Sequence, residues 1–539
     1  MRNQLAVCLV SAALAIFPTT SAAQHEHHHG GTGTGAPPTY GDVHFQTSCS
    51  PDGQKGFELG VAELHSFEYE TAASEFKKVT DAEPACAIAY WGQAMVLYHP
   101  LWNNPSKQDL ADGWSLVQKG LQAKEITARE KQYLEALGTF YKPGETATQE
   151  RAEGYSDGME KLHAAYPQDE EAAVFYALSL LGSESPTDTT LSHSRKAVAI
   201  LNEILAKDPN HPGVTHYIIH ASDNPIMAPD ALAAARQYAK IAPDSVHAVH
   251  MPSHIFARLG LWQESITSNV AAIEVAKKNG EAVEYQLHPM DFLMYAYLQT
   301  GQDDKAKQVE EQAIGMGNTG FGHGRENYYY YVQSHFPAMV DIETKDWKAA
   351  EALQPAEGAG PGMQEMTFWA QAVGSGHLKH VAAAKTAVAN LEKAVAEDEK
   401  AHPVNGNRPV DTDLNEGKAW LAYAEGKYED AFSLLKPVIE RQAAVGKGEV
   451  DLPAREMYAE MLLDTNQPKE ALEQYKLSLK SDPNRFNGLY GAGKAAEMEG
   501  DHDAAVQYYA ELVKNCEGSQ RSELAHAKEV IGGTAAGAK

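Results

Sequence analysis

A repeat with a period of about 34 residues constrains the fold of this chain more than any other feature of its sequence. Ala471 and Ala505 lie one such period apart near the C-terminal end. Tyr475 and Tyr509 repeat the same interval within those segments. Self-similarity at such a period is typical of helical hairpins that cannot bury their apolar faces alone and therefore stack. The chain of 539 residues is therefore expected to be all-α, built from successive helix-turn-helix units.

The order of small and aromatic residues identifies the kind of hairpin. The stretch GFELGVAELHSFEYETAASEFKKVTDAEP closes on a proline and carries this pattern at Gly60, Tyr69, Ala72 and Phe76. The order resembles the tetratricopeptide repeat (TPR) family, and the resemblance extends over most of the chain. It implies an α-solenoid of TPR-like helix-turn-helix repeats forming a right-handed superhelix. The first helices of the hairpins would then line a concave groove, the usual binding surface in this family.

Three further segments resemble a group of exported bacterial TPR proteins. They are AYWG at 89–92, YHPLW at 98–102 and HMPSHIF at 250–256. This resemblance implies the repeat fold and export, and it carries no reaction with it.

The segments between clear repeats divide the chain. Arg2, an apolar stretch at 5–17 and the small residues Ser21 and Ala23 are typical of a secretory signal peptide. We therefore predict an exported protein, periplasmic or secreted. The predicted divisions are a signal peptide at 1–23, a disordered His/Gly-rich segment at 24–52, a TPR-like array with a His-rich groove at 53–314, degenerate repeats with Gly/Pro-rich loops at 315–400, C-terminal TPR repeats at 401–517, and a tail at 518–539.

The cysteines indicate one disulfide in an oxidising compartment. Removal of the signal peptide leaves Cys49, Cys86 and Cys516. The pairing Cys49–Cys86 would tie the N-terminal segment to the first repeats and leave Cys516 free. Three thiols allow two other pairings, which the sequence leaves open.

The charge of the chain excludes two classes of partner. Its formal net charge of −28 at pH 7 disfavours nucleic acids and anionic lipid surfaces, which need a basic surface. Beyond the N-terminal apolar stretch, no run of residues is apolar enough to span a membrane. An acidic chain remains compatible with cationic ligands, including metal ions.

Histidines recur in the register of the repeat. Pro209 and Pro243 close successive repeats and lie one period apart. Counted from these prolines, seven residues fall at repeat positions 2, 5, 9 and 12, which are His247 at position 2, His216 and His250 at position 5, His220, His254 and His288 at position 9, and Asp223 at position 12. Spacings of three and four place these positions on one helical face.

This pattern predicts a metal site in the groove. Two histidines at i and i+4, such as His216 and His220, can chelate one ion from a single helix. Asp223 would supply a carboxylate ligand or orient a ligating imidazole. Imidazole ligands without thiolate favour copper or zinc, with iron as a further candidate. Separate alignments of the flanking repeats add three groove candidates: His65 and His99, 34 residues apart near the end of the same face, and His335 at position 5.

Two other interpretations stay open at this point. A buried histidine taken singly is more often a hydrogen-bonded core residue than a ligand. The groove of a TPR scaffold also binds peptide or protein partners, and histidines could act there as donors. No HExxH, GxSxG, P-loop or Rossmann motif is present, so the sequence leaves enzymatic activity undecided.

Overall fold

The computed structural model describes residues 39–101, 105–144, 146–185, 187–317, 326–401, 411–516 and 518–537. The expected signal peptide and most of the expected His/Gly-rich segment lie outside these residues. Among the described residues the chain is all-α, and consecutive helices pack against each other along the sequence. The predicted fold class, an α-solenoid of helical hairpins, is confirmed.

The helices begin at Pro51 and continue to Gly537. In the first half they are α1 (Pro51–His65), α2 (Tyr69–Ala82), α3 (Ala87–Met95), α4 (Lys107–Leu121), α5 (Ala128–Tyr141), α6 (Thr148–Ala165), α7 (Glu170–Gly182), α8 (Ser192–Leu205), α9 (Pro212–Ala221), α10 (Ala228–Ile241), α11 (Val246–His250), α12 (Pro252–Arg258) and α13 (Trp262–Asn279). In the second half they are α14 (Glu284–Gln299), α15 (Asp303–Gly315), α16 (Glu326–Glu343), α17 (Trp347–Ala352), α18 (Pro361–His377), α19 (Val381–Ala401), α20 (Thr412–Ala424), α21 (Tyr428–Val445), α22 (Ala454–Asp464), α23 (Pro468–Ser481), α24 (Phe486–Glu499), α25 (His502–Asn515) and α26 (Ser522–Gly537).

Small residues allow the helices of a hairpin to approach each other. A Cβ atom added at Gly493 would lie 2.4 Å from the ring of Tyr509. One added at Gly60 would lie 2.7 Å from the ring of Phe76. Each glycine therefore makes room for the aromatic residue of the following helix, which explains why the two residue types alternate through the repeat.

The buried apolar residues form three main clusters along the chain. The first extends from Val43 to Phe256, and the second extends from Ala338 to Ala527. The third lies between them in sequence and also contains Val450, from the segment between α21 and α22. Residues far apart in sequence therefore share one core in the middle of the array. The segment 518–539, expected as a tail, contains α26, which packs against α25.

Hydrogen bonds also join the middle repeats to the C-terminal repeats. The indole Nε1 of Trp262 donates to the carbonyl of Asn484 at 2.8 Å. The side chain of Asn484 donates to the carbonyl of Gly260 at 3.2 Å. Arg258 donates to the carbonyl of Lys447 at 3.0 Å. The last contact brings the segment between α21 and α22 next to the end of α12, and the first two bring the turn between α23 and α24 next to the start of α13.

Cys49 and Cys86 form a disulfide, and Cys516 is free and buried among the described residues. The favoured pairing is therefore confirmed. The bond fixes the segment before α1 against α3, where Phe45 is fully buried. The ring of Phe45 lies 4.9 Å from that of Phe57.

Removal of this disulfide is expected to destabilise the N-terminal repeats. The bond closes a loop across a sequence separation of 37 residues. A Cys49→Ser/Cys86→Ser variant should lose about 3–4 kcal/mol of unfolding free energy, because the unfolded chain regains the freedom of that loop. Urea denaturation with and without dithiothreitol measures the effect. Reductant should lower the stability of the wild type only, and equal stability of oxidised and reduced wild type would contradict the prediction.

No helix in the described ranges is both long enough and apolar enough to cross a membrane.

Candidate metal centre

Six histidine side chains come together where four helices meet. His216 and His220 lie on α9, and His247 and His250 lie on α11. His254 follows on α12 and His288 lies on α14. Pro252 occupies the first turn of α12 and separates it from α11. The break lets one repeat supply three imidazoles to the same region.

The six imidazoles divide into two groups of three. In cluster 1, formed by His216, His220 and His247, one ring nitrogen of each residue lies within 4.8 Å of the others. Cluster 2, formed by His250, His254 and His288, meets the same limit. The sequence register predicts a ladder of histidines, and the structure arranges that ladder as two adjacent trihistidine clusters.

The hydrogen bonds of cluster 2 determine where its nitrogen lone pairs point. Nδ1 of His250 lies 2.6 Å from Oδ1 of Asn269. The amide nitrogen of Asn269 donates to the Ser265 carbonyl, so its oxygen accepts from His250. Nδ1 of His254 donates to the Asp223 carboxylate at 2.8 Å. In a neutral imidazole the second nitrogen is then an acceptor.

The two Nε2 atoms of cluster 2 therefore face each other as acceptors. Nε2 of His250 lies 3.0 Å from Nε2 of His254. Opposed lone pairs at this distance repel each other unless a cation lies between them. Two imidazole nitrogens bound to one ion at 2.0–2.1 Å are about 2.9 Å apart at a right angle and about 3.3 Å apart at a tetrahedral angle. The observed separation fits such an ion.

In cluster 1, hydrogen bonding fixes one of the two facing nitrogens as an acceptor. Nδ1 of His216 donates to the backbone carbonyl of His65 at 2.6 Å, and a carbonyl can only accept. Nε2 of His216 therefore carries a lone pair, and it lies 2.9 Å from Nε2 of His247. Ligating histidines commonly donate their second ring nitrogen to a carbonyl or carboxylate in this way.

Burial keeps most of these imidazoles neutral. It lowers the pKa of His220 to about 3 and that of His288 to about 4, and neighbouring imidazoles add to both shifts. The pKa values of His216 and His250 are lowered well below the usual value for the same reasons. Neutral imidazole is the form that binds a metal ion.

His254 is the exception within the two clusters. Burial alone lowers its pKa, but the carboxylates of Glu449 and Asp223 outweigh burial and the net shift is upward. A proton is therefore the competing cation in cluster 2, because a charged His254 could donate from Nε2 to His250. The contact between the two Nε2 atoms requires either a proton or a metal ion.

The Asp223 carboxylate accepts hydrogen bonds from two side chains next to cluster 2. It accepts from Nδ1 of His254 and, at 2.7 Å, from Nε of Arg258. Burial raises the pKa of Asp223, but Arg258 and His254 outweigh burial and lower it below the usual range. Glu449, between α21 and α22, lies 3.4 Å from the same Nδ1. These contacts fit a carboxylate that orients a ligating imidazole, the second of the two roles predicted for Asp223.

A third group, formed by His65, Glu171 and His211, is explained by hydrogen bonds alone. Nε2 of His65 lies 2.9 Å from one oxygen of Glu171, and Nε2 of His211 lies 3.1 Å from the other. A carboxylate accepts from both rings without opposed lone pairs. Nδ1 of His65 contacts the hydroxyl of Tyr217 at 2.9 Å. This network joins α1, α7 and α9, and its hydrogen bonds require no metal ion.

The other two groove candidates lie outside both clusters. The ring of His99 packs 4.1 Å from that of Tyr69. His335 stacks on Tyr331, and its Nε2 lies 3.4 Å from Asp291. Both imidazoles therefore pack against side chains other than the six clustered histidines.

A cavity of about 320 Å³ opens beside the clusters. Its polar lining includes His220, Asp223, Arg258 and Glu449, and its apolar lining includes Leu101. Residues from the N-terminal repeats and from the segment between α21 and α22 thus face the same space. Small solutes can reach the edge of cluster 1 through it.

Several residues of this region do not follow the histidine repeat, so the sequence pattern did not predict them. Asn269 lies on the second helix of its hairpin, Glu171 lies in the first turn of α7, and His211 directly precedes α9. Glu449 reaches the site from a distant segment of the chain. A search of the second helices for amides near the histidine repeats would have found Asn269.

The family model for tetratricopeptide repeats matches residues 459–519. The human anaphase-promoting complex subunit 7 is 32% identical over 102 residues, which are 19% of this chain and 16% of that protein. The mouse subunit matches to the same extent. The chain thus matches about a sixth of the length of these curated relatives.

Two solved structures give low-scoring matches. The TPR domain of P58(IPK) is 14% identical, with 90% of this chain and 99% of that chain covered and a TM-score of 0.21. The complex titled Naa15/Naa10 bound to HypK-THB is 12% identical, with 90% and 73% covered and a TM-score of 0.24.

Proposed function

We propose that this tetratricopeptide repeat protein binds transition-metal ions, one at each trihistidine cluster. The observation that carries the proposal is the pair of facing Nε2 atoms in each cluster, 2.9 Å apart in cluster 1 and 3.0 Å apart in cluster 2. Three of these four imidazoles donate Nδ1 to a carbonyl, amide or carboxylate oxygen. Such partners hold the lone pairs in the orientation that metal binding needs.

The donor set selects among metals. Six imidazoles without a thiolate suit copper(II) and zinc, and divalent copper binds most tightly to nitrogen sites of this kind. Iron is a weaker candidate, because its non-haem sites usually combine two histidines with a carboxylate ligand. Asp223 is already committed to His254 and Arg258.

The disulfide supports export as part of this proposal. Structural disulfides persist in oxidising compartments such as the bacterial periplasm or the extracellular space. The bond between Cys49 and Cys86 fits such a compartment, as do the signal-like residues at 1–23. We therefore propose that the protein is exported to such a compartment.

A scaffold that binds a protein partner is the second candidate. TPR arrays typically bind proteins, and the matched relatives are named as subunits of a complex. This function requires no metal ion and makes no use of the facing nitrogens. The two candidates therefore differ in one measurable property, the metal content of the purified protein.

Elemental analysis separates them. The protein is purified without residues 24–30, whose histidines could bind metal incidentally. The proposal predicts near-stoichiometric copper or zinc after reconstitution and a higher melting temperature with bound metal. Absence of bound metal, together with unchanged melting after addition of copper and zinc, would leave the scaffold as the function.

Replacement of Asp223 tests its role as the orienting carboxylate. An Asp223→Asn variant should bind metal about 10–100-fold more weakly, because His254 loses the charged acceptor that fixes its ring. Competition with a chromophoric chelator measures the affinity. Asp230→Asn, an exposed position in the first turn of α10, is the matched control and should keep wild-type affinity. Equal affinities for the two variants would contradict the role of Asp223.

A further inference from the structure

The relation between the two clusters carries an inference that rests on the proposed metal binding. We infer that clusters 1 and 2 form one dinuclear centre, in which a small anion such as hydroxide or azide bridges the two metal ions.

The spacing of the rings supports a single centre. The ring centroids of His220 and His254, from different clusters, are 6.3 Å apart. Those of His247 and His250 are 6.5 Å apart. Within cluster 1, His220 and His247 are already 5.9 Å apart. The spacing between the clusters is therefore only slightly wider than the widest spacing within one of them.

Coordination distances allow two ions to share one ligand. Each ion would lie about 2 Å from its imidazole nitrogens, so ions on the facing sides of the two clusters would be closer together than the rings that bind them. Two-metal centres that share a ligand have ions roughly 3.5–4 Å apart. The rings that approach each other across the two clusters are His220 and His254 in one pair and His247 and His250 in the other.

Three protein ligands leave a coordination position open on each ion. The cavity lined by His220 and Asp223 would admit a small solute to the open position from the side of cluster 1. Its volume of about 320 Å³ is ample for water, hydroxide or azide.

The local charge favours an anion as the shared ligand. Two divalent ions would bring four positive charges to six imidazoles, a ligand type that supplies no negative charge. The carboxylates that contact cluster 2, Asp223 and Glu449, can offset two of these charges, and Asp223 is itself paired with Arg258. A bridging hydroxide or azide reduces the remaining charge. When azide binds it displaces the bridging water or hydroxide, and no electron is transferred.

Electron paramagnetic resonance of copper-loaded protein tests the inference. Protein that lacks only residues 24–30 is loaded with two equivalents of copper(II), and excess metal is removed. A bridged pair should give clearly less signal than two isolated copper(II) ions, because the bridge couples their spins. Addition of azide should produce a new charge-transfer absorption that saturates at one azide for each pair of ions.

A single-cluster variant supplies the control. His250 supplies one of the two facing Nε2 atoms of cluster 2, so a His250→Gln variant should retain one copper ion with its full, uncoupled signal. Two bound ions with two full and independent signals in the wild type would overturn the dinuclear centre and leave the proposed metal binding intact. Failure to bind copper at all would overturn both.

Discussion

Saturation with zinc is expected to raise the free energy of unfolding by about 4 kcal/mol for each trihistidine cluster, at a free metal concentration of roughly 1,000 times the dissociation constant. The increment arises because zinc binds to the native state, in which three imidazoles lie close together, and not to the unfolded chain, in which they are apart. A His216→Gln variant should lose the increment that belongs to cluster 1 and retain that of cluster 2.

The measurement compares chemical denaturation of each protein with zinc and with chelator. The metal-dependent increment is the relevant quantity, because a buried glutamine also changes the stability of the metal-free protein. His380→Gln is the matched control, since His380 pairs with Glu351 on a largely exposed site away from the clusters. An equal increment in His216→Gln and His380→Gln would contradict the assignment of His216 as a ligand.

Replacement of Arg485 should lower the free energy of unfolding by a similar amount. Arg485 is almost fully buried and pairs with Glu343 at 2.7 Å and with Glu456 at 3.0 Å. It also contacts the hydroxyl of Tyr295. An Arg485→Met variant leaves two buried carboxylates without a cationic partner, so it should lose about 3–5 kcal/mol of unfolding free energy.

Two further variants show whether the loss comes from the buried charges. Adding Glu343→Gln and Glu456→Gln to Arg485→Met removes the stranded carboxylates and should restore a large part of the stability. Arg236→Met breaks an exposed pair with Glu264 and should cost no more than about 1 kcal/mol. Equal losses in Arg485→Met and Arg236→Met in urea denaturation would contradict the role of this ion-pair group.

The fold and most of the clustered histidines were predictable because both follow the local period. A spacing of one repeat places His216 above His250 and His220 above His254 in successive hairpins, and hairpin stacking then brings them together. The grouping into two clusters was not predictable. It depends on the break before Pro252, which turns His247 towards α9 and His254 towards α14.

The residues that orient the imidazoles were harder to predict from the sequence. Asn269 accepts from His250 across a hairpin, and Glu449 approaches His254 from the distant segment between α21 and α22. The second contact depends on the packing of the C-terminal repeats against the middle repeats. The repeat pattern describes each hairpin and its neighbours in sequence. It therefore contains no information about contacts between repeats that are distant in sequence.

Anomalous X-ray diffraction from crystals of the metal-loaded protein tests metal binding at the clusters most directly. Data on either side of the copper or zinc absorption edge locate the ions without reference to activity. The account predicts one anomalous peak about 2.0–2.1 Å from Nε2 of His216 and His247, and a second at the same distance from Nε2 of His250 and His254. Well-ordered clusters without an anomalous peak, in crystals soaked with the metal, would show that a proton holds the facing nitrogens together and would contradict the account.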